Sequence, residues 1–318
     1  MRTRLSALAP RTVRGLLLAA LPLSLATLGG CAAPGGSGAV TASAPAPAAA
    51  RQAAGTLLIV GGGPAPAEIP RRFVELAGGA GARIVVFPMA SADSGTGPEK
   101  VAELRALGAD AVSVALTRDA ALREESARLL DGATGIWFSG GDQNRLTHAL
   151  AGTPVERAIH ARYRAGAVVG GTSAGAAVMS ARMITGDERH PGGARPPRDS
   201  SDAWMTIARD NVVTAPGFGL LPGVVVDQHF LRRKRHNRLL SLALELPERL
   251  AVGIDESTAI EVGPDGRWRV IGASSAVVLD ARRARVTPAG ALAATEVRLH
   301  VLPAGATFDP ATGQATLP

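Results

Sequence analysis

The sequence predicts an α/β fold in which helices cover a largely parallel β-sheet, with a short-stranded C-terminal extension. Three observations predict it. From Gly55 onward, short apolar runs alternate with amphipathic segments, as in parallel strands joined by helices. From Val224 onward, the apolar runs become short and closely spaced, as in antiparallel strands. Glycine-rich turns, "SGGDQ" and "GGTSAG", follow two predicted strands, and ligands bind where the strands of such folds end.

The strands and helices of the first two thirds follow from the apolar pattern. Near-continuous apolar runs predict the strands "TLLIVGG", "RIVVFPMA", "AVSVALT", "GIWFSGGD" and "AGAVVG". Amphipathic spacing and glycine stops predict the helices "EIPRRFVELAGG", "PEKVAELRALG" and "RDAALREESARLL", with two more over residues 143–150 and 155–164.

The C-terminal third opens with the strand "GVVVDQHF", followed by a basic helix, "LRRKRHNRLLSLALEL", which ends before Pro247. Short strands follow in "LAVGIDESTAIEV", "WRVIG", "SAVVLD" and "RLHVL". Between the two parts, the polar and proline-rich segment "GDERHPGGARPPRDSSD" predicts a surface loop.

Residues 1–30 have the pattern of a lipoprotein signal peptide. A basic start precedes the apolar run "GLLLAALPLSLATL", which is too short to span a bilayer comfortably. The run ends in "LGGC", which resembles the lipobox of bacterial lipoproteins and predicts a lipid anchor at Cys31. We expect an exported protein, lipid-anchored in the cell envelope, and Ala32 favours the outer membrane of a two-membrane bacterium. Ordinary secretion, with cleavage near Ala32, is the alternative.

Composition narrows the classes of partner and cofactor. Cys31 is the only cysteine, so no disulfide forms within the chain and no cysteine metal site exists. We expect no metal and no other cofactor. The formal net charge of +7 falls to +3 without the four arginines of residues 1–30, so we expect no nucleic-acid partner. Residues 31–54 are rich in Ala, Pro, Gly and Ser and predict a flexible tether to a single catalytic domain, residues 55–318. The oligomeric state stays open, a homodimer included.

Ser173 is a candidate nucleophile. It lies in "GTSAG", a G-x-S-x-G pattern between a predicted strand and a predicted helix. Such a turn needs small neighbours and exposes the serine hydroxyl at a helix N-terminus. A glycine-rich turn with a capping Thr or Ser is the alternative.

A serine nucleophile needs a base and an acid that orients the base. Among the six histidines, His229 is preferred because it follows directly on a buried strand. The others lie on predicted helices, in the proline-rich segment or near the C-terminus: His148, His160, His190, His236 and His300. The acid candidates are Asp187, Glu188, Asp227, Asp255 and Glu256.

Five motifs in order, "FSGGDQNRL", "GGTSAGAAVMS", "GVVVDQHF", "LRRKRHNRLL" and "GIDESTA", resemble the cyanophycinases, in the serine peptidase family that also contains the dipeptidase E branch. The resemblance implies a class I glutamine amidotransferase-like fold, with a serine in place of the cysteine. It also implies a triad of Ser173, His229 and an acid, and an oxyanion hole built by the backbone of Ala174 and Gly141. The order Ser, His, acid differs from that of the α/β-hydrolases, the runner-up superfamily.

The identity of the acid is left between two sets. Spacing from His229 favours Glu256, whereas the dipeptidase branch takes its acid from the loop after the nucleophile, which here offers Asp187 and Glu188.

The resemblance implies a serine exopeptidase acting on cyanophycin, a poly-aspartate that carries arginine on its side chains. The expected substrate contacts are Gln143, Asp227, Gln228, Arg233, Arg235 and Arg238. On a helix, Arg235 and Arg238 would share one face toward an anionic substrate, although a solvated basic face is the usual fate of such a run. An aspartyl dipeptidase, another amide hydrolase and a catalytically silent periplasmic binding protein are the alternatives.

Overall fold

A computed structural model describes residues 55–189 and 206–318. The predicted signal peptide, Cys31, the tether and most of the predicted surface loop, with His190, lie outside these residues. Within them, no helix is long and apolar enough to cross a membrane.

The described residues form short strands joined by helices and turns. In chain order the strands are β1 (Leu57–Val60), β2 (Arg83–Phe87), β3 (Asp110–Ser113), β4 (Gly135–Phe138), β5 (Val168–Thr172), β6 (Arg182–Glu188), β7 (Val212–Pro216), β8 (Val224–Gln228), β9 (Leu250–Ile254), β10 (Thr258–Val262), β11 (Trp268–Gly272), β12 (Ser275–Asp280), β13 (Arg285–Val286), β14 (Ala294–Thr295), β15 (Arg298–Pro303), β16 (Thr307–Asp309) and β17 (Gln314–Thr316).

The helices lie mainly in the first two thirds of the chain. They are α1 (Glu68–Leu76), α2 (Thr96–Ala106), α3 (Arg118–Ala121), α4 (Gln143–Leu150), α5 (Pro154–Arg164), α6 (Ala174–Ala177) and α7 (His236–Glu245), with 3-10 turns at Gly79–Gly81 and Glu124–Leu130. The side chains of Thr117, Asp142 and Thr153 cap α3, α4 and α5 by accepting backbone hydrogen bonds. Such caps satisfy N–H groups that a helix start leaves without partners.

The main sheet has nine strands in the order β17-β16-β11-β10-β1-β5-β4-β2-β3. The five strands from β1 to β3 in this order are parallel, and the other four continue the sheet antiparallel. Helices cover the parallel part, so that β1 and β4 are buried throughout. The predicted fold class is therefore confirmed.

A second sheet of four strands has the order β15-β12-β9-β8. β8 pairs in parallel with β9, and Leu239 and Leu242 of α7 are buried in the same apolar cluster as Val277 and Leu279 of β12. β9 belongs to this second sheet, whereas β10 belongs to the main sheet. The link of residues 255–257 between β9 and β10 therefore joins the two sheets.

Three predictions of local structure were wrong. The segment "RDAALREESARLL" is not one helix, because it forms the four-residue α3 and then the 3-10 turn at Glu124–Leu130. The basic helix begins at His236 and not at Leu231, because residues 229–235 form successive turns. His229 and Lys234 have left-handed φ angles of 48° and 51°, and Arg233 N–H donates to His229 O at 2.9 Å. The start of the predicted surface loop is also different, since Gly186 belongs to β6, which pairs with β7.

Candidate active site

Ser173 lies on a sharp turn between β5 and α6. Its φ of 54° and ψ of −110° are unusual for a residue with a side chain, as expected of a strained turn at a functional site. The flanking glycines are needed for space. A Cβ on Gly171 would lie 2.4 Å from Gly175 O, and one on Gly175 would lie 2.2 Å from Phe138 O. The G-x-S-x-G pattern therefore reflects close backbone packing around the serine.

His229 follows β8 and is held against the end of β1. Its backbone N–H donates to Gly61 O at 2.7 Å, and its positive φ turns the chain out of the strand. A Cβ on Gly62 would lie 2.4 Å from Cε1 of the imidazole. Gly62 therefore leaves the space that the ring occupies, a role that the glycines after the first strand did not reveal in the sequence.

Ser173, His229 and Glu256 form a continuous hydrogen-bonded chain. Ser173 Oγ lies 2.8 Å from His229 Nε2, and His229 Nδ1 lies 2.6 Å from Glu256 Oε1. With Nδ1–H donating to the carboxylate, Nε2 is left to accept the serine proton. Three separate strand ends, those of β5, β8 and β9, therefore bring the three side chains together.

Glu256 is positioned by the link between the two sheets. In this link, Ser257 N–H donates to Gly62 O at 2.9 Å and Ser257 Oγ–H donates to Pro64 O at 2.7 Å. A Cβ on Gly63 would lie 2.8 Å from Glu256 Oε2, so the glycine-rich end of β1 also makes room for the acid.

The pKa of His229 lies below its ordinary value of 6.5. Burial is the largest cause, because it disfavours the charged imidazolium, while the hydrogen bond to Glu256 acts in the opposite direction. The positive charges of Arg233 and Arg235 lower the pKa further. The imidazole is therefore neutral near pH 7 and able to accept a proton.

Two backbone N–H groups beside Ser173 have no acceptor among the described residues, those of Ala174 and Gly141. Ala174 is fully buried, and a buried N–H without a partner is unusual in proteins. Ser173 N–H cannot share this role, because it donates to Val60 O at 3.0 Å. These are the two N–H groups that the family resemblance implies for an oxyanion hole.

The acid alternatives lie elsewhere. Asp187 belongs to β6, where its carboxylate accepts a hydrogen bond from Thr185 Oγ1 at 3.4 Å, and Glu188 ends the same strand. The Nδ1 atom of His229 is already bonded to Glu256. The geometry therefore favours Glu256 over Asp187.

Gln143 is buried at the start of α4. Its side-chain N–H groups donate to the carbonyls of Ile184, at 3.0 Å, and Thr185. These bonds join α4 to β6. The side-chain oxygen of Gln143 accepts no hydrogen bond from a described residue, so any substrate contact by Gln143 would use that oxygen.

The expectation that Asp227 and Arg238 contact a substrate directly needs correction. The Asp227 side chain is fully buried, and Arg238 holds it through two parallel hydrogen bonds, Nε–H to Oδ2 at 2.7 Å and Nη2–H to Oδ1. The Asp227 carboxylate is therefore paired within the protein and buried away from solvent.

Arg235 is also buried, and it holds Gln228 through hydrogen bonds. Its Nη1 donates to the backbone oxygen and to Oε1 of Gln228, both at 2.9 Å. Gln228 Oε1 in turn lies 3.5 Å from Ser173 Oγ. Arg233 is half-buried. Arg235 Nη1 also lies 3.8 Å from Asp227 Oδ1, so Arg235 and Arg238 are both buried beside Asp227 and do not present an exposed basic face.

Asp255 is a positioning residue that the sequence did not reveal. It was an acid candidate, but its carboxylate accepts backbone N–H bonds from Leu231 and Arg232, at 3.1 and 2.9 Å, and a hydroxyl bond from Ser274 at 2.8 Å. These bonds fix the turn that follows His229. The sequence signal for this role was the acidic pair "DE" after a buried strand. Glu256 of this pair contacts the imidazole, which leaves Asp255 for another role.

Comparison with known proteins agrees with this geometry. The model of peptidase family S51 matches residues 57–268. A cyanophycinase of Geminocystis herdmanii is 37% identical over 257 residues, which cover 78% of this chain and 89% of that protein. A cyanophycinase of Trichormus variabilis is 36% identical over 251 residues, covering 76% of this chain and 80% of the relative.

A solved structure extends the likeness to the fold. A peptidase from an acI-B1 Actinobacterium aligns with a TM-score of 0.56 at 25% identity, covering 78% of this chain and 98% of that one. The matched residues include every member of the Ser173–His229–Glu256 chain. This chain therefore belongs to peptidase family S51 and is a serine-type peptidase.

Proposed function

We propose that this protein is an exported exopeptidase that hydrolyses cyanophycin to β-Asp-Arg dipeptides through an acyl-enzyme. The observation that carries the proposal is the continuous Ser173–His229–Glu256 hydrogen-bonded chain, with contacts of 2.8 and 2.6 Å. Two relatives, at 37% and 36% identity, are cyanophycinases. The relatives support the substrate class, and the geometry supports the mechanism.

In the acylation step, His229 Nε2 accepts the proton of Ser173 Oγ as the oxygen attacks the scissile carbonyl carbon. The carbonyl oxygen becomes an oxyanion that accepts hydrogen bonds from the N–H groups of Ala174 and Gly141. Glu256 stabilises the imidazolium through Nδ1–H. When the tetrahedral intermediate collapses, the C–N bond breaks and Nε2–H gives its proton to the departing amine.

In the deacylation step, water replaces the amine. His229 Nε2 accepts a proton from the water, whose oxygen attacks the acyl carbon, and the proton then passes to Ser173 Oγ as the ester bond breaks. The protein therefore returns to its starting state without a cofactor. The low pKa of His229 suits this cycle, because the base must be neutral at the start of each step.

The direct test is product analysis. Residues 55–318 are incubated with purified cyanophycin, and released products are separated and identified by mass. We expect β-Asp-Arg dipeptides, and none from the Ser173→Ala variant. Intact cyanophycin with rapid cleavage of α-linked aspartyl dipeptides would favour the dipeptidase assignment instead.

Binding without turnover would favour a catalytically silent binding protein. It would appear as cyanophycin retained by the wild-type protein with no product over hours. The same assay therefore separates the two enzyme classes from the non-enzyme.

We also propose that Cys31 carries the lipid that holds the protein in the cell envelope. The support is the basic and apolar pattern of residues 1–30 and the lipobox-like "LGGC". In cells labelled with a palmitate analogue, the wild-type chain should incorporate label and the Cys31→Ala variant should accumulate as unlabelled precursor. Equal labelling of the two would contradict the anchor.

A further inference from the structure

A cavity of about 870 Å³ lies beside α4, away from His229. Its walls are one face of α4 and the loops after β2 and β3, and it includes Asp93, Leu116, Asp142 and Arg145. We call it the α4 cavity. It lies at the carboxyl ends of parallel strands, where ligands bind in such sheets, and its volume is in the range of small-molecule sites, roughly 300–1,000 Å³.

The α4 cavity adjoins Ser173 through the turn of residues 140–142. On one side, a Cβ on Gly140 would lie 3.4 Å from Ser173 Cβ. On the other side, Asp142 N–H donates to Ala90 O at 2.9 Å, and the Asp142 side chain lines the cavity. A chain crossing Ser173 therefore needs to pass only this short turn to enter the cavity.

The strand order indicates in which directions a substrate chain bound at Ser173 would run. Ser173 follows β5, which lies between β1 and β4 in the main sheet. The His229 ring packs over the glycines after β1, whereas the α4 cavity lies over the ends of β4, β2 and β3. A substrate chain whose carbonyl is held at Ser173 therefore extends toward the His229 side in one direction and toward the α4 cavity in the other.

The cavity carries groups of both charges. Asp93 and Asp142 each use Oδ1 to accept a nearby backbone N–H, and their Oδ2 atoms have no partner in the described ranges. Asp142 caps α4, and Arg145 lies in the first turn of that helix; both line the cavity. The Arg145 guanidinium makes no hydrogen bond or ion pair with a described residue. No three His, Cys, Asp or Glu side chains among the described residues could hold a metal ion here or elsewhere.

We propose that the α4 cavity is the subsite for a repeat unit that neighbours the scissile bond. Each unit of cyanophycin carries one guanidinium and one free carboxylate, so the unit is zwitterionic, like the cavity lining. Asp93 and Asp142 accept hydrogen bonds from the guanidinium, and Arg145 binds the carboxylate through its planar fork. The inference rests on the proposed function and assigns a second region to the same substrate.

The test measures binding without turnover. In the Ser173→Ala background, Kd for a synthetic four-repeat β-Asp-Arg oligomer is measured by calorimetry. Asp93→Asn, Asp142→Asn and Arg145→Ala should each raise Kd about tenfold, and added salt should weaken parental binding. The asparagine variants keep the oxygen that accepts the local N–H, so the loops and the α4 cap are preserved.

Matched controls lie at the opposite end of the sheet. Arg128→Ala and Asp131→Asn change exposed charges that precede β4, and they should leave Kd unchanged. Equal Kd values for all five variants and the parent would overturn the subsite, and so would equal losses in cavity and control variants. Failure of the parent to bind the oligomer would overturn both proposals. Dipeptide release by the wild type, with unchanged Kd in the cavity variants, would overturn the subsite alone.

Discussion

Asp227 and His229 are two residues apart, yet they belong to regions of opposite character. His229 joins Ser173 and Glu256 at the meeting point of two sheets, where Glu256 stays partly open at 25% side-chain exposure. Asp227 is fully buried against Arg238, whose side chain is 3% exposed. The region of His229 keeps the hydroxyl oxygen of Ser173 available for reaction. The region of Asp227 pairs its carboxylate with a buried arginine of the same chain.

The comparison shows what decides whether a polar residue faces a ligand. Asp227 lies within the regular strand β8, and its side chain meets Arg238 of α7. His229 leaves the strand through a φ of 48°, and its ring is held by the space above Gly62. Backbone conformation and the residue that packs against each side chain, rather than residue type, therefore separate the candidate catalytic residue from the structural one.

The largest expected effect comes from removing the nucleophile. Ser173→Ala should lower kcat by roughly 10⁴-fold or more, because no other hydroxyl contacts His229 Nε2 in the described chain. The thermal midpoint should change little, since only one oxygen is lost. Steady-state kinetics and thermal unfolding check both halves. Retention of more than a few percent of activity would remove Ser173 as the nucleophile.

The next largest effect distinguishes the two candidate acids, Glu256 and Asp187. Glu256→Gln should lower kcat by about 10²- to 10⁴-fold with KM little changed, because the amide no longer stabilises the imidazolium. Asp187→Asn is the matched control and should retain near wild-type kinetics. A large loss in Asp187→Asn with a small one in Glu256→Gln would reverse the assignment.

Substitutions in the buried pair of Asp227 and Arg238 should change the free energy of unfolding rather than the catalytic step. Asp227→Leu or Arg238→Met alone leaves a buried charge without its partner, which costs about 3–5 kcal/mol of unfolding free energy. The double variant should recover part of that loss, as measured in urea. If each single variant unfolded like the wild type and only KM rose, these residues would be substrate contacts after all.

The smallest effect is a shift in pH dependence. Burial lowers the pKa of His229. As the pH decreases, kcat/KM should therefore stay constant through the ordinary range of histidine pKa values and fall only at lower pH. Arg233→Ala removes a positive charge that lowers this pKa, so the acid limb should move to higher pH. Glu256→Gln removes a group that raises the pKa, so its limb should move to lower pH. Opposite shifts in pH–rate profiles would contradict the electrostatic account.

Local patterns in the sequence were sufficient to predict the strand ends at which the three hydrogen-bonded side chains lie. Ser173, His229 and Glu256 each follow a short buried apolar run, and glycines mark the turn at Ser173. The fold class followed from the same alternation and is confirmed.

Local patterns do not reveal contacts between residues far apart in the chain. The five basic residues after His229 suggested a ligand-binding helix, but two of them are buried against Asp227 and Gln228. Charge and spacing cannot distinguish such a contact from an exposed one. The separation of β9 and β10 into two sheets, which places Glu256, was equally hidden because adjacent apolar runs resemble a hairpin.

The most direct test of the account is covalent labelling of the nucleophile. The wild-type protein is treated with a fluorophosphonate, and the adduct is located by peptide mass spectrometry. We expect one adduct per chain, on Ser173, formed slowly or not at all in His229→Ala. A protein that hydrolyses its substrate but carries no adduct, or carries it on another residue, would contradict the central claim.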